Sequence, residues 1–387
     1  MTRKYDIRLL EKLKEREGKG NYKGQELIIK RLPDCDEDGA MDPRLFEDQK
    51  KMMKMLKIMP MFMVKKMMKV DPEHIDNLRE MFNGIKSVPV VTSEITTKKH
   101  EVETAKGITC DVYQYTNEKT TKESPVLYYI HGGGFFGGHH GVVEESLKLM
   151  VEKFGFTIFS VDYRLAPEHP YPNGHEDVYA VLKWIYQNGE MLNINPEKIC
   201  VAGDSAGGNL TQYCSTKDRE EKTNMVKAQL LLYPTLNMCG VEDEFFKWDI
   251  SLYPMIPSQK KGLSKMLKMF GGMTGGLEPL LKCKKEDVCG PYLNPYTRKD
   301  PENNPPTFVT AGEHDYLKVE TLAWAAKLHK AGVETKAIVY NGLGHAYFDN
   351  CGVLPQTEDC IEEMGKFIIQ QTEMNRQLTV SYIPSRF

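Results

Sequence analysis

Ser205 lies in a segment that could supply a nucleophile for acyl transfer. Residues 203–207, GDSAG, match the pattern G-x-S-x-G, and they follow a strand-like run, 198–204, and precede a helix-like run, 209–218. A tight turn from strand to helix lifts a serine hydroxyl above the sheet, and small neighbours avoid clashes in that strained turn. The N-terminus of the following helix favours negative charge developing nearby. This context predicts a nucleophilic serine.

A run of glycines could stabilise the negative oxygen that such a reaction creates. Residues 131–134, His-Gly-Gly-Gly, end an apolar strand-like run. Glycines allow backbone N–H groups to point into a cavity, where they can bind the oxyanion of a tetrahedral intermediate. We expect these donors to be Gly133 and Gly134, with the N–H of Ala206 as a third. A flexible turn is the alternative interpretation, and we expect His131 to organise the loop rather than to react.

A nucleophilic serine also needs a histidine base and an acid that orients it, in the chain order serine, acid, histidine. Asp315 follows the strand-like run 306–312, and His345 follows the run 335–340. Carboxyl ends of parallel strands share one edge of a sheet, so Asp315, His345 and Ser205 are expected to meet there. His345 would take the serine proton and return it to the leaving alcohol, while Asp315 would stabilise the imidazolium.

Neighbouring residues offer rivals for these roles. Glu313 and His314 lie one or two residues from Asp315. Glu313 is the rival acid, and His314 is expected to be a solvated loop histidine. The adjacent pair His139 and His140 lacks the spacing of a metal site, and neither a metal nor a cofactor is expected.

The elements that must position these residues alternate between strand and helix from about residue 88 onward. This rhythm predicts an α/β fold with a mostly parallel sheet, right-handed crossovers and helices on both faces. The strand patterns cover 108–115, 125–130, 156–163, 198–204, 228–234, 306–312 and 335–340. The helical patterns cover 141–154, 175–188, 209–218 and 318–331.

Two segments depart from this rhythm and are interpreted as a mainly helical cap. The first is the N-terminal segment 1–87, predicted to be helical, in which residues 51–70 contain eight methionines and Pro60. The methionine run fits a buried helix kinked near the proline, an adaptable wall of an acyl pocket, or a lid that touches lipid. The second is an insertion at 238–290. The predicted core is then 88–237 with 291–372, followed by a tail at 373–387.

Composition limits the possible partners. The chain of 387 residues has a net charge of −3 and no basic bias, so neither nucleic acid nor an anionic membrane is expected as a partner. No run of about 18 apolar residues occurs, so no integral membrane contact is predicted. The charged N-terminus lacks the pattern of a secretory signal. Nine cysteines without zinc spacing favour reduced thiols in a cytoplasmic protein, with an oxidised pair or a reactive thiol as the alternative. The strand at 335–340 could be an open sheet edge at which a homodimer forms.

Three motifs resemble those of the hormone-sensitive-lipase-like, HGGG-type carboxylesterases of the α/β-hydrolase superfamily. They are HGGGF at 131–135, VDYRLAPEHPYP at 161–172 and GDSAGGN at 203–209, and the resemblance covers about residues 90–370. The middle motif is the most specific of the three. The resemblance implies an α/β-hydrolase fold, an N-terminal cap, and hydrolysis of short- to medium-chain acyl or acetyl esters without a cofactor.

The resemblance also implies supporting roles and leaves alternatives open. Asp162 and Arg164 of the middle motif are interpreted as braces for the loops beneath the oxyanion hole. The usual Asp-Pro-Leu acid motif has Tyr316 in place of its proline, which weakens the assignment of the acid. Three aromatic residues are candidates for lining the substrate pocket, with a place in the core as the alternative, namely Phe135, Phe136 and Tyr347.

Two alternative functions remain at this stage. One is an interfacial lipase, which the methionine-rich segment suggests. The other is a non-catalytic binder of small ligands on a hydrolase scaffold, which the presence of all three triad residues disfavours.

Overall fold

One sheet of ten strands organises the described part of the computed structural model, which comprises residues 3–60, 62–63, 75–271 and 277–380. The strands are β1 Glu17–Tyr22, β2 Gln25–Lys30, β3 Thr96–Ala105, β4 Ile108–Thr116, β5 Val126–Ile130, β6 Thr157–Asp162, β7 Ile199–Asp204, β8 Ala228–Leu232, β9 Thr307–Gly312 and β10 Thr335–Tyr340. Their spatial order is β1-β2-β10-β9-β8-β7-β5-β6-β4-β3. Pairing is parallel from β2 through to β6 and antiparallel at both ends. The predicted α/β class with a mostly parallel sheet is confirmed.

Helices cover both faces of this sheet. They are α1 Arg8–Glu15, α2 Pro43–Ile58, α3 Ile75–Asn83, α4 His140–Phe154, α5 Asn173–Gln187, α6 Gly189–Leu192, α7 Ala206–Glu220, α8 Pro257–Phe270, α9 Glu278–Leu281, α10 Lys285–Val288, α11 Lys318–Lys330 and α12 Pro355–Val380. Leu127 and Tyr129 of β5 pack with α4 and α12, whereas Tyr128 and Ile130 pack with α5 and α7. Because both faces of each central strand are covered, these strands are apolar throughout. They therefore appear in the sequence as continuous apolar runs, which allowed them to be predicted.

The N-terminal segment is not helical throughout, which corrects the prediction for residues 1–87. Residues 17–30 form the hairpin β1–β2, with positive φ at Lys23 and Gly24 in its turn. Strand β2 pairs in parallel with β10, Leu27 lying beside Ala337. The edge of β10 is therefore covered by the chain itself, so the predicted open edge for a homodimer does not exist there.

A buried lysine joins this hairpin to the C-terminal helix. Lys30 is only 1% exposed, and its Nζ lies 2.8 Å from Glu17, 3.2 Å from Asp359 and 3.4 Å from Glu363. The Tyr340 hydroxyl donates to the same Asp359 carboxylate at 2.8 Å. Burial alone would lower the pKa of Lys30, but the three carboxylates raise it above its ordinary value. The hairpin is thus held to α12 by a charge that has no access to water.

The N-terminal segment and the insertion at 238–290 also contact each other. Helix α2 packs on α8, Lys265 Nζ donates to the Met59 carbonyl at 2.7 Å, and Lys57 Nζ donates to the Ser258 carbonyl at 3.0 Å. Helix α2 ends at Ile58, and Met59 before the proline is extended, so the helix stops there instead of continuing through a kink. Most of the methionine run beyond that proline lies outside the described residues, so the three interpretations of it remain open.

One pair of cysteines is bonded, which corrects the expectation of reduced thiols throughout. Cys239 and Cys289 form a disulfide with a Cα–Cα distance of 5.5 Å across the insertion, and the remaining cysteines are free. Disulfides are typical of oxidising compartments, so the cysteine content no longer supports a cytoplasmic location. No helix among the described residues is long and apolar enough to cross a membrane.

Replacing the buried lysine should destabilise the fold. Lys30→Met leaves Asp359 buried without its cation, so we expect the free energy of unfolding to fall by about 3 kcal/mol. Lys19→Met is the matched control, since Lys19 lies on the same hairpin, is 83% exposed and pairs only with Glu26. It should change stability by less than about 1 kcal/mol. Urea unfolding of both variants measures the difference, and equal losses would show that the buried cluster does not anchor the hairpin.

Candidate active site

Ser205 occupies a strained turn between β7 and α7. Its φ is +55°, a conformation that L-residues rarely adopt. The turn closes only because its neighbours lack side chains: a Cβ on Gly203 would overlap the Gly207 carbonyl, and one on Gly207 would overlap the Ile130 carbonyl. The local sequence therefore forces the serine hydroxyl outward, beyond the carboxyl end of β7.

Three side chains from different strands form one line of hydrogen bonds. His345, which follows β10, has Nε2 2.8 Å from Ser205 Oγ and Nδ1 2.9 Å from Asp315 Oδ2. Asp315, which follows β9, is fully buried, and its other oxygen accepts the Leu317 N–H at 2.8 Å. The structure thus brings together the serine, histidine and aspartate that the motifs singled out. Such an arrangement can move a proton from the hydroxyl to the imidazole.

The surrounding charges favour a protonated imidazole. Burial acts to lower the pKa of His345, but the Asp315 carboxylate raises it, and Asp204 and Asp349 add to that effect. The net result is a pKa above the ordinary histidine value. An imidazolium formed during a reaction would therefore be stabilised at this position.

Glu313 and His314, the rivals of Asp315 in the sequence, form hydrogen bonds outside the line from Ser205 to Asp315. Glu313 accepts the Gly342 N–H at 2.9 Å and makes no hydrogen bond with His345. His314 is buried rather than solvated, which corrects the expectation, and its Nε2 lies 2.9 Å from the Pro254 carbonyl. Burial lowers the pKa of His314 to about 4, so that ring is neutral.

The glycine loop presents uncommitted N–H groups. Gly133 and Gly134 have φ values of +118° and +63°, which only glycine adopts without strain. Their N–H groups and that of Ala206 make no hydrogen bond with a described residue. The preceding Gly132 N–H donates to Asp204 Oδ1 at 2.9 Å and so fixes the loop to the end of β7.

His131 has the contacts of a structural residue. Its buried ring stacks on Tyr163 with centroids 4.5 Å apart, and Nδ1 lies 2.7 Å from the Gly132 carbonyl. The Tyr163 hydroxyl donates to the His131 carbonyl at 3.0 Å. Burial lowers the pKa of His131 to about 4. A neutral ring held in this way can keep the glycine loop in shape, and the imidazole that is hydrogen-bonded to the serine hydroxyl is that of His345.

The two residues interpreted as braces support different loops. Asp162 accepts the His140 N–H at 2.7 Å and holds the His140 ring at 2.8 Å, so it fixes the start of α4 directly after the glycine loop. Arg164 binds both oxygens of Asp177 at 2.8 and 2.7 Å. It braces the approach to α5 instead of the oxyanion loop. His139 caps α4, its Nδ1 accepting the Gly141 N–H.

Two further carboxylates lie beside the reactive groups. Burial raises the pKa of Asp204 to about 7, an effect that Asp349 increases, while hydrogen bonds from Tyr129 and Gly132 oppose it. Asp349 is also buried, with Lys86 Nζ 3.3 Å from its Oδ2. Neither carboxylate was singled out in the sequence, although Asp349 lies only four residues after the histidine.

A small cavity of about 30 Å³ opens beside the serine. It is lined by Phe82, His131, Gly132, Gly133, Gly138, Val142, Val143, Asp204, Ser205, His345, Ala346 and Asp349. The predicted pocket residues Phe135, Phe136 and Tyr347 are not among them. Phe135 stacks on His175, Phe136 packs against Phe82, and the Tyr347 hydroxyl lies 2.6 Å from Thr310 Oγ1. All three belong to the core, which corrects their assignment.

The residue that departs from the usual acid motif contacts the histidine. The Tyr316 ring lies 4.8 Å from the His345 ring, and Phe270 of α8 stacks on Tyr316 at 5.5 Å. Phe270 of the insertion is therefore connected to His345 through the Tyr316 ring, which contacts both. No group of three or more His, Cys, Asp or Glu side chains suited to a metal ion occurs in the described part of the chain.

Known proteins are similar to this chain in sequence and in fold. A family model described as α/β hydrolase fold matches residues 127–349. A carboxylesterase of Mycobacterium tuberculosis is 31% identical over 231 residues, which cover 60% of this chain and 69% of that protein. An acetyl esterase of Salmonella schwarzengrund is 25% identical over 263 residues, covering 65% and 74%.

Solved structures of esterases have the same fold as this chain. A hyperthermophilic esterase from the archaeon Pyrobaculum calidifontis superposes with a TM-score of 0.65 at 25% identity, covering 85% of this chain and 98% of that one. The resemblance to hormone-sensitive-lipase-like esterases that the motifs predicted is confirmed, and the chain belongs to the α/β-hydrolase family.

Proposed function

We propose that this protein is a serine carboxylesterase. The observation that carries the proposal is the continuous line of hydrogen bonds from Ser205 through His345 to Asp315. The names of the relatives, which include carboxylesterase and acetyl esterase, support the same reaction.

The first half of the reaction forms an acyl-enzyme. The Ser205 oxygen attacks the ester carbonyl carbon while His345 Nε2 takes the hydroxyl proton. The carbonyl oxygen becomes negative and is held by the N–H groups of Gly133, Gly134 and Ala206. When the tetrahedral intermediate collapses, the alcohol leaves with the proton from Nε2, and the acyl group remains on the serine.

The second half returns the enzyme to its starting state. Water gives a proton to Nε2 as it attacks the acyl carbon, and the same three N–H groups hold the second oxyanion. Collapse returns the proton to Ser205 and releases the carboxylic acid. Asp315 keeps Nδ1 protonated throughout, so that Nε2 faces the serine as an acceptor.

The cavity beside the serine supports short acyl groups. Its free volume is about 30 Å³, and Phe82, Val142 and Val143 form its apolar wall. A cavity of this size has room for an acetyl group or a slightly longer acyl chain. Within the proposed range of short- to medium-chain esters, the rate is therefore expected to fall as the acyl chain lengthens. A series of p-nitrophenyl esters of increasing chain length measures this.

Exposed apolar side chains near the N-terminal segment support a second candidate, an interfacial lipase. Ile58 is 85% and Phe62 72% exposed, with Met63 and Ile85 also exposed. Large exposed apolar groups in one region are typical of surfaces that meet lipid or another apolar phase. A sharp rise in rate above the solubility limit of a triglyceride would favour the lipase, whereas simple saturation by dissolved esters would favour the carboxylesterase.

The third candidate, a non-catalytic binder on this scaffold, predicts an unreactive serine. A fluorophosphonate probe bonds only to an activated serine hydroxyl. Labelling of the natural protein at Ser205 would exclude the binder, and its absence would overturn the carboxylesterase. A cytoplasmic location stays a prediction, which the cysteine content no longer supports.

Removing the nucleophile should abolish ester hydrolysis. Ser205→Ala is expected to lower kcat by about 10⁴-fold or more, with the thermal unfolding temperature little changed. Hydrolysis of p-nitrophenyl acetate measures the loss. Ser251→Ala, at an exposed position, is the control and should keep full activity. Near-normal activity in Ser205→Ala would rule out this serine as the nucleophile.

The acid can be distinguished from its neighbour by paired amide substitutions. Asp315→Asn should lower kcat on the order of 10²–10⁴-fold, because the amide no longer stabilises the correct tautomer and the imidazolium. Glu313→Gln should cost far less, since Glu313 does not contact the histidine. Steady-state kinetics of both variants decide between them, and a larger loss in Glu313→Gln would reverse the assignment.

The rate should fall in acid as His345 becomes protonated. Only the neutral ring can accept the serine proton, and the raised pKa keeps the ring protonated to a higher pH than a free imidazole. The midpoint of the acid limb of kcat/KM should therefore lie above about 6.5. Asp349→Asn removes one neighbouring carboxylate and should move that midpoint to lower pH, while Asp111→Asn at a distant site should not. A rate that stays constant down to pH 5 would contradict the role of His345.

A further inference from the structure

A second and larger cavity lies beside the hairpin β1–β2. Its volume is about 460 Å³, against about 30 Å³ beside Ser205, and the two cavities share no lining residue. Ligand pockets for small molecules span about 300–1,000 Å³, so this space has the size of a binding site.

The position of this cavity follows from the sheet. The residue immediately after each of three adjacent parallel strands faces it: Arg31 after β2, Asn341 after β10 and Glu313 after β9. In open parallel sheets, ligands bind outside the carboxyl ends of the strands. Because the hairpin adds β2 in parallel to β10, it extends that edge beyond the triad and creates a second crevice there.

Two buried charged groups face the cavity without pairing with each other. Lys318 is 7% exposed, its ammonium donates to the Leu252 carbonyl at 2.9 Å, and the same ammonium lies 4.3 Å from the centre of the Tyr253 ring. Glu313 is equally buried, and only one of its carboxylate oxygens accepts a hydrogen bond, from the Gly342 N–H. Burial lowers the pKa of Lys318 and raises that of Glu313, while the opposite charge of each group acts against the shift of the other.

Two more charges lie at the mouth of the same cavity. Arg31 and Asp38 line it, and both residues are exposed to solvent. The polar part of the lining thus offers two cations and two anions that remain available to a ligand.

The rest of the wall is apolar. Strand β2 contributes Leu27 and Ile29, α11 contributes Val319 and Leu322, and β10 contributes Val339. A ligand that fills the cavity must therefore combine an apolar body with a polar end.

We propose that this cavity binds a small zwitterion with an apolar body, such as an α-amino acid with a large apolar side chain. Its carboxylate lies against Arg31 and Lys318, its ammonium against Glu313 and Asp38, and its side chain against the apolar wall. A ligand with one charge would leave either Lys318 or Glu313 facing it without a ligand group of opposite charge, and an unpaired buried charge is costly. A zwitterion compensates all four groups.

The test is a calorimetric titration of L-phenylalanine into the full chain, with two analogues that each lack one charge. N-acetyl-L-phenylalanine lacks the ammonium, and L-phenylalaninamide lacks the carboxylate. We expect L-phenylalanine to bind most tightly. Arg31→Ala should weaken it by about tenfold, the size of one charge-assisted hydrogen bond. Ile29→Trp, which fills the cavity, should abolish binding, and the control Arg8→Ala, at an exposed arginine, should not affect it.

Binding must also be independent of ester cleavage. Ser205→Ala and protein labelled with a fluorophosphonate should bind L-phenylalanine as the natural chain does, so the result stands whether or not the proposed esterase activity is correct. Loss of binding on labelling would place the ligand at the serine and overturn the proposal. So would the absence of binding at millimolar concentration, equal affinity for the three ligands, or unchanged binding in both Arg31→Ala and Ile29→Trp.

Discussion

Parallel pairing of the strands is the constraint on which the chemistry of this chain depends. It brings the carboxyl ends of β5, β7, β9 and β10 to one edge, so four loops far apart in the chain meet there. The glycine loop, the serine, the acid and the histidine each need only to follow a strand directly. Their distances of 2.8 and 2.9 Å are then set by strand register rather than by long flexible loops. The same edge, lengthened by β2, also produces the cavity at Arg31.

Burial of charge gives this edge its electrostatic character. Asp315 is excluded from water, and Asp204 and Asp349 lie near the same imidazole, so the histidine is surrounded by negative groups in a poorly solvated space. A carboxylate that loses water strengthens every interaction it makes with a neighbouring cation. The strained backbone at Ser205 and the close packing around Gly203 and Gly207 fix the position of the serine beside these carboxyl groups.

The sequence allowed some of these features to be predicted and concealed others. Strands buried on both faces appear as apolar runs, and those runs led directly to β5, β7, β9 and β10. The hairpin was missed because β1, EGKGNY, is polar and pairs only at the sheet edge. Phe135, Phe136 and Tyr347 were wrongly assigned because aromatic residues next to a motif give no sign of which way they point. Phe82 and the Cys239–Cys289 bond depend on contacts between distant segments, for which a single sequence carries no local signal.

The pairing of β2 with β10 has a consequence for how the chain is made. Gln25 and Thr335, which bond across this junction, are 310 residues apart. The hairpin leaves the ribosome long before its partner strand exists, and such distant pairing slows folding. Residues 335–340 must therefore be synthesised before the sheet can close. A nascent chain that stops short of β10 exposes both an unpaired hairpin and an uncovered β9, which makes it a substrate for chaperones.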